Sequence, residues 1–191
     1  MIAFGSIEHC VGTTCISLAL ANYICSKLGK RTAYIELNTT NQIRCFSDKK
    51  ELFPFSYMGI TFFPARTLAS LSEILIMPFD FFILDIGVLN AYTVKEFSRC
   101  DEQFLVCSLC EWKKSITLEK LTELMQKNNL HQEHVTVLAN ADIKKSKLTI
   151  SPKIKCRFYT LPFIANPFRL SCNDFNFYHQ LIFKMEDQNY K

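Results

Sequence analysis

Residues 2–28 read as a strand, a loop and a helix in that order. Ile2-Ala-Phe-Gly5 is a short apolar run expected to form a buried strand. Gly12 marks a turn, and Thr13–Lys30 is expected as a helix. Ile16, Leu20, Tyr23, Ile24 and Leu28 would share one face of it, and Gly29 suits its stop. In such a layout the first N–H groups of the helix point back into the loop. The helix dipole adds partial positive charge there, so the loop is built to hold an anion, phosphate above all. A working loop of this kind carries lysine after the glycine, and here that position is Thr13. The same residues therefore predict a nucleotide-binding architecture and argue against ordinary nucleotide hydrolysis.

Downstream, strands and helices alternate. Strands are expected at Arg31–Leu37, Tyr57–Phe63, Asp80–Gly87, Gln103–Leu109, Val135–Ala139 and Arg157–Leu161. Helices are expected at Leu68–Met77 (closed by Pro78), Val94–Arg99, Ser115–Asn128 and Asp174–Met185. On Ser115–Asn128 the spacing turns Leu118, Leu121, Leu124 and Met125 inward. Residues 39–55 read as a loop with an edge segment, and the lysine-rich Asp142–Lys155 as a solvated stretch. Phe81-Phe-Ile-Leu84 is a continuous apolar run, as in a strand buried on both faces. This alternation predicts an α/β fold, a doubly wound, mostly parallel sheet flanked by helices. At 191 residues a single domain over 1–191 is expected.

Composition excludes several classes. With 49% apolar and 21% charged residues the chain is globular, not disordered. A net charge of +4 does not call for nucleic acid. No apolar run reaches the roughly 18 residues of a membrane span, and no signal peptide is evident. Nine cysteines, an odd number scattered over strands and helices, fit reduced thiols in a cytoplasmic protein better than a disulfide framework.

Polar residues recur where strands are expected to end. Ile35-Glu36-Leu37-Asn38 closes the second strand and Asp85-Ile-Gly87 closes the Phe81 strand. In open α/β sheets such carboxyl ends border the ligand crevice. An Asp after an apolar strand can hold Mg²⁺ or its water, as a Walker B residue does.

Residues 2–38, 80–87 and 135–140 together resemble the MinD/ParA group of deviant-Walker P-loop ATPases, which includes the ATPase-like proteins of Tad-type pilus assembly. That family's loop reads Lys-Gly-Gly-Val-Gly-Lys-Thr-Thr, and the aligned run here is Glu8-His-Cys-Val-Gly-Thr-Thr-Cys15. Val11, Gly12 and Thr14 match. The signature lysine, which in the family reaches across a nucleotide-sandwich dimer, falls on Glu8, and the second lysine on Thr13. The two strand-end aspartates fall on Glu36 and Asn38, so the one that positions the attacking water is an amide here. Asp85 matches the Walker B position. Asn140, after Val135-Thr-Val-Leu-Ala139, resembles the adenine-contacting asparagine.

The resemblance implies a P-loop NTPase-like fold in a bacterial protein. It implies a nucleotide site built from Gly12, Thr13, Thr14, Cys15, Glu36, Asn38, Asp85 and Asn140, with Thr14 and Asp85 on Mg²⁺ if a Mg-nucleotide binds. ATP or ADP with Mg²⁺ is the implied cofactor, and no cofactor is the alternative. The losses fall on charge and the retentions on backbone geometry. Phosphoryl transfer depends on positioning and charge stabilisation, so no catalytic residue is assigned. The reading is a degenerate, non-hydrolysing or weakly nucleotide-binding protein acting through a protein partner as an assembly or positioning factor. Any homodimer would not be driven by ATP, because Glu8 places an anion where the family places a cation.

Other readings of the same residues stay open. A divergent ATPase could recruit Lys30, Lys113 or a partner's lysine. Thr13 and Thr14 could simply cap the helix, Asp85 a loop, and Glu36 could pair with a lysine. Cys107-Ser-Leu-Cys110 is a lone CxxC that could indicate redox or metal chemistry, though zinc needs four ligands. His9–Cys10 lacks a third orienting group, and His131 and His134 read as surface residues. The tail Phe175-Asn-Phe-Tyr178, Leu181, Ile182 and Met185 reads as a helix packed on the sheet, leaving membrane contact to a partner. The basic run from Lys144 to Arg157 lacks interleaved aromatics and reads as solvated, so nucleic acid is disfavoured.

Overall fold

A computed structural model describes residues 1–47, 53–128, 130–140 and 156–186, the last with side chains to residue 183. Among these residues one eight-stranded sheet runs in the order β3-β4-β2-β5-β1-β6-β7-β8. Its strands are β1 (Ile2–Ser6), β2 (Thr32–Glu36), β3 (Phe55–Tyr57), β4 (Ile60–Phe63), β5 (Phe81–Val88), β6 (Glu102–Ser108), β7 (Val135–Asn140) and β8 (Arg157–Thr160). Every pairing is parallel except that of β3 with β4. Among the described residues five α-helices flank it: α1 (Thr13–Asn22), α2 (Leu68–Leu75), α3 (Thr93–Ser98), α4 (Lys114–Lys127) and α5 (Cys172–Glu186).

The two-residue period of the strands sorts the core. On β1, Ile2 and Phe4 face a cluster with Leu20 of α1 and Leu181 of α5. Ala3 faces the opposite cluster, with Leu71 of α2, Phe97 of α3 and Leu121 of α4. β1 lies between β5 and β6, parallel to both, as its short apolar run predicts. Helix α1 is buried nearly all round, so its apolar face is wider than periodicity alone suggests. It passes into a π-helical turn at Tyr23–Lys27, and the chain leaves at Gly29 with φ +64°.

The expected strand Tyr57–Phe63 is instead a hairpin. Met58 and Gly59 both have positive φ, 50° and 79°, and join β3 to β4. That is the backbone a two-residue type I′ turn requires, but methionine rarely adopts it, so composition gave no turn signal. On α4, Thr117, Leu121 and Met125 are buried, while the expected Leu118 and Leu124 are half-buried. The tail helix is in the core: Tyr178, Leu181 and Ile182 are buried, and Ser171 and Asp174 cap its start reciprocally. Of the basic run from Lys144 to Arg157, Arg157 is half-buried on β8, and the lysines, like Met185, fall outside the residues described with side chains. Among the described residues no helix is long and apolar enough to cross a membrane.

An irregularity in β5 positions the site. The register with β1 shifts between Phe4 and Gly5, so that Asp85 faces Phe4 and Gly87 faces Gly5. Gly87 sits at φ +70°, and a Cβ there would meet Asn38 Cβ at 2.9 Å. Gly87→Ala should therefore destabilise the protein by about 1–2 kcal/mol through backbone strain and crowding. Urea unfolding checks this, and a midpoint unchanged from wild type would contradict it.

Candidate functional site

A cavity of about 610 Å³ opens at the carboxyl ends of β1, β2 and β5. The loop after β1 forms one wall. Gly12 is the residue before α1, with φ +94°, and no side chain caps the helix. The first helical bond runs from the N–H of Ile16 to the carbonyl of Gly12 at 3.0 Å, which leaves the N–H groups of Thr13, Thr14 and Cys15 ahead of it. All three residues line the cavity. The threonines are thus not the helix cap. Thr13 is largely buried, and the Thr14 hydroxyl donates to Asp85 Oδ2 at 2.7 Å.

Asp85 is fully buried beneath this wall. Its Oδ2 also accepts from the Tyr34 hydroxyl at 3.0 Å, and Tyr34 shares a 2.7 Å hydrogen bond with Ser17 of α1. A chain of polar groups therefore ties α1, β2 and β5 together under the loop. Burial pushes the Asp85 carboxyl above its ordinary range, against the hydrogen bonds from Thr14 and Tyr34. Asp85 Oδ1 is buried without a hydrogen bond among the described residues. A threonine hydroxyl beside a carboxylate with one spare oxygen is a hard-oxygen donor set that fits Mg²⁺, which takes few protein ligands and keeps its waters.

Asn38 lines the cavity and bridges its floor. Its Nδ2 donates to the Asp85 carbonyl at 3.3 Å, and its Oδ1 accepts from the N–H of Thr40 at 3.0 Å. A carboxylate could not make the first bond, so the amide has a local use whatever the site binds. Glu36 is fully buried, but its side chain turns away from the cavity. Its oxygens accept from the N–H groups of Ile43 at 3.3 Å and Ala65 at 3.2 Å, pinning the 3₁₀ turn at Gln42–Phe46 and the segment after β4. Burial raises its pKa too, against those two bonds. No lysine pairing is needed to explain it. Asn140 ends β7 at the same carboxyl edge, exposed and outside the cavity lining. The geometry thus brings together Gly12, Thr13, Thr14, Cys15 and Asn38 over Asp85, and leaves Glu36 and Asn140 at the periphery.

Sequence reading did not pick out Thr40, Gln42, Asn90 and Thr93, which also line the cavity. All follow strand ends, which is the signal that could have found them. Among the described residues no lysine or arginine lines the cavity. Lys30 precedes β2 at the opposite edge of the sheet. Lys113, by contrast, reaches the loop, with Nζ 3.2 Å from Glu8 Oε2. The anionic charge expected at Glu8 is therefore compensated.

Cys107 is buried, and burial pushes its thiol up to about 12, so it offers no thiolate. All nine cysteines are free, and no group of three metal-binding side chains occurs among the described residues. His131 and His134 are exposed.

No protein-family profile and no curated protein sequence matches the chain. Solved structures do. A putative plasmid partition protein from Borrelia burgdorferi bound to AMPPNP is 16% identical with a TM-score of 0.66, covering 98% of both chains. A MinC:MinD cell division protein complex from Aquifex aeolicus gives 12% identity and a TM-score of 0.66 over 86% of this chain and 83% of that one. A ParA family ATPase from Chlorobium tepidum is 12% identical with a TM-score of 0.63, over 86% and 85%. At such identities the likeness is one of fold, and it agrees with the parallel sheet and the loop at its carboxyl edge. The chain therefore has the fold of the MinD/ParA P-loop ATPases.

Proposed function

We propose that this chain is a MinD/ParA-like protein with a degenerate P-loop, which holds Mg-nucleotide weakly, does not hydrolyse it, and acts through protein contacts as a cytoplasmic assembly or positioning factor. The observation that carries this reading is the loop itself. The N-terminus of α1 and the Thr14–Asp85 pair are in place around an open cavity, while no cation lines it among the described residues. Backbone dipoles and a Mg²⁺ set suffice to hold a phosphate, and stabilising transferred charge needs more. Mg²⁺ on Thr14 and Asp85 would neutralise part of that phosphate charge. Two similar structures support this reading: AMPPNP is bound to one, and MinD is complexed with MinC in another.

Purified protein should accordingly show ATP turnover with Mg²⁺ at the background rate. A robust rate abolished by Asp85→Ala would sink this reading in favour of a divergent ATPase. One observation supports that second reading, namely the arrival of Lys113 beside the loop. Self-association in the proposed mode is independent of ATP, because Lys113 cancels Glu8 instead of presenting a cation to a second subunit.

A further inference from the structure

We propose that Glu8 and Lys113 form a latch on the anion site: Glu8 keeps Lys113, a cation beside the loop, occupied, and a phosphate group entering the cavity competes with Glu8 for it. This rests on the phosphate-binding reading above and adds the regulation of that site. β1 and β6 are parallel neighbours, so the loop after β1 and the segment before α4 emerge side by side. Glu8 lines the cavity, and Lys113 stands immediately before α4. The lysine is about one-third exposed, and Glu8 about one-fifth. The pair is also incompletely satisfied. Glu8 Oε2 meets Lys113, but Oε1 is buried with no hydrogen bond among the described residues. A partly exposed, singly bonded ion pair is weak. A phosphate offers more acceptor oxygens, and lysine is a flexible point charge that can turn to them.

The latch carries its own reporter. Lys113 Nζ lies 5.0 Å from the ring centroid of Trp112, the chain's only tryptophan. Moving the ammonium off the ring should change the indole emission. Mg-ADP and inorganic phosphate are titrated separately into the full chain at low salt, by calorimetry and by Trp112 fluorescence. Glu8→Gln should tighten Mg-ADP binding on the order of tenfold. The gain should vanish in Glu8→Gln/Lys113→Met. Inorganic phosphate should show the same rank order if the phosphate group alone is sensed, and no binding if the nucleoside is required. Added Mg-ADP should shift the emission of wild type, and not that of Lys113→Met. Wild-type binding with Glu8→Gln unchanged or weaker overturns the latch and leaves the phosphate site standing. A gain that persists without Lys113 also overturns it, because relief of repulsion then explains the effect. No binding by any variant refutes the phosphate site and the latch together. Melting curves verify folding, and Glu8→Ser replaces Glu8→Gln if the latter does not fold.

Discussion

Thr13→Lys combined with Glu8→Gln is expected to tighten binding of Mg-AMPPNP by on the order of 100-fold. The change restores a cation at the start of α1, where helix dipole and backbone N–H groups already point into the cavity. It also removes the anion from the opposite side of the loop. A charged hydrogen bond to phosphate contributes about 1.5–3 kcal/mol, and freeing Lys113 adds to it. The sequence alone suggests lysine at both positions. The structure argues against Glu8→Lys, which would set one ammonium within a few ångströms of another at Lys113. Calorimetry with Mg-AMPPNP decides the matter. Affinity equal to wild type, in a variant that melts normally, would mean that lost charge is not what limits this loop.

Glu36→Ala is expected to cost about 2–4 kcal/mol of stability, although Glu36 does not line the cavity. The two N–H groups it accepts, those of Ile43 and Ala65, would lose their acceptor, and each orphaned buried donor costs about 1–3 kcal/mol. The turn carrying Gln42 would lose its anchor, so the cavity wall should loosen as well. Urea unfolding at neutral pH measures the cost, and a loss below about 0.5 kcal/mol would show that those N–H groups find other partners.

The ionisation of this carboxylate and of Asp85 runs against ordinary acid denaturation. Both have folded pKa values raised above 4.5 and 3.8, chiefly by burial. Their favourable contribution is therefore complete below those ordinary values and is lost as pH rises through the raised ones. Asp85→Asn abolishes one of the two titrations. Its stability relative to wild type should fall as the buffer is taken from pH 7 toward 4. A relative stability of Asp85→Asn that instead rises on acidification would show that Asp85 is stabilised as the carboxylate. Asp80 supplies the opposite sign within the same molecule. Its exposed pair with Arg31 holds it at about 2, so its contribution is present above 3.8 and lost as pH falls through about 2.

Local chemistry made much of the site legible. Gly12 and the hydroxyl after it declare a turn and a helix start within a few residues, and β5 is a continuous apolar run ending in Asp85. These are short-range patterns, and the strand–helix alternation that orders the sheet is built from them. Contacts between distant segments decided the rest. Met58 enters a left-handed turn because β3 and β4 pair across it, not because methionine favours it. Glu36 and Asn38 sit at strand ends, as read from sequence, but their partners Ile43, Ala65 and the Asp85 carbonyl are known only once the chain is folded. Lys113 lies 105 residues from Glu8 and meets it only because β1 and β6 are neighbours in the sheet. Periodicity and turn propensity act over a few residues, so the sequence by itself determined the strands other than the β3–β4 hairpin, the loop and its missing lysines. The charge balance of that loop is a sum over side chains brought together in space, and only the tertiary structure decided it.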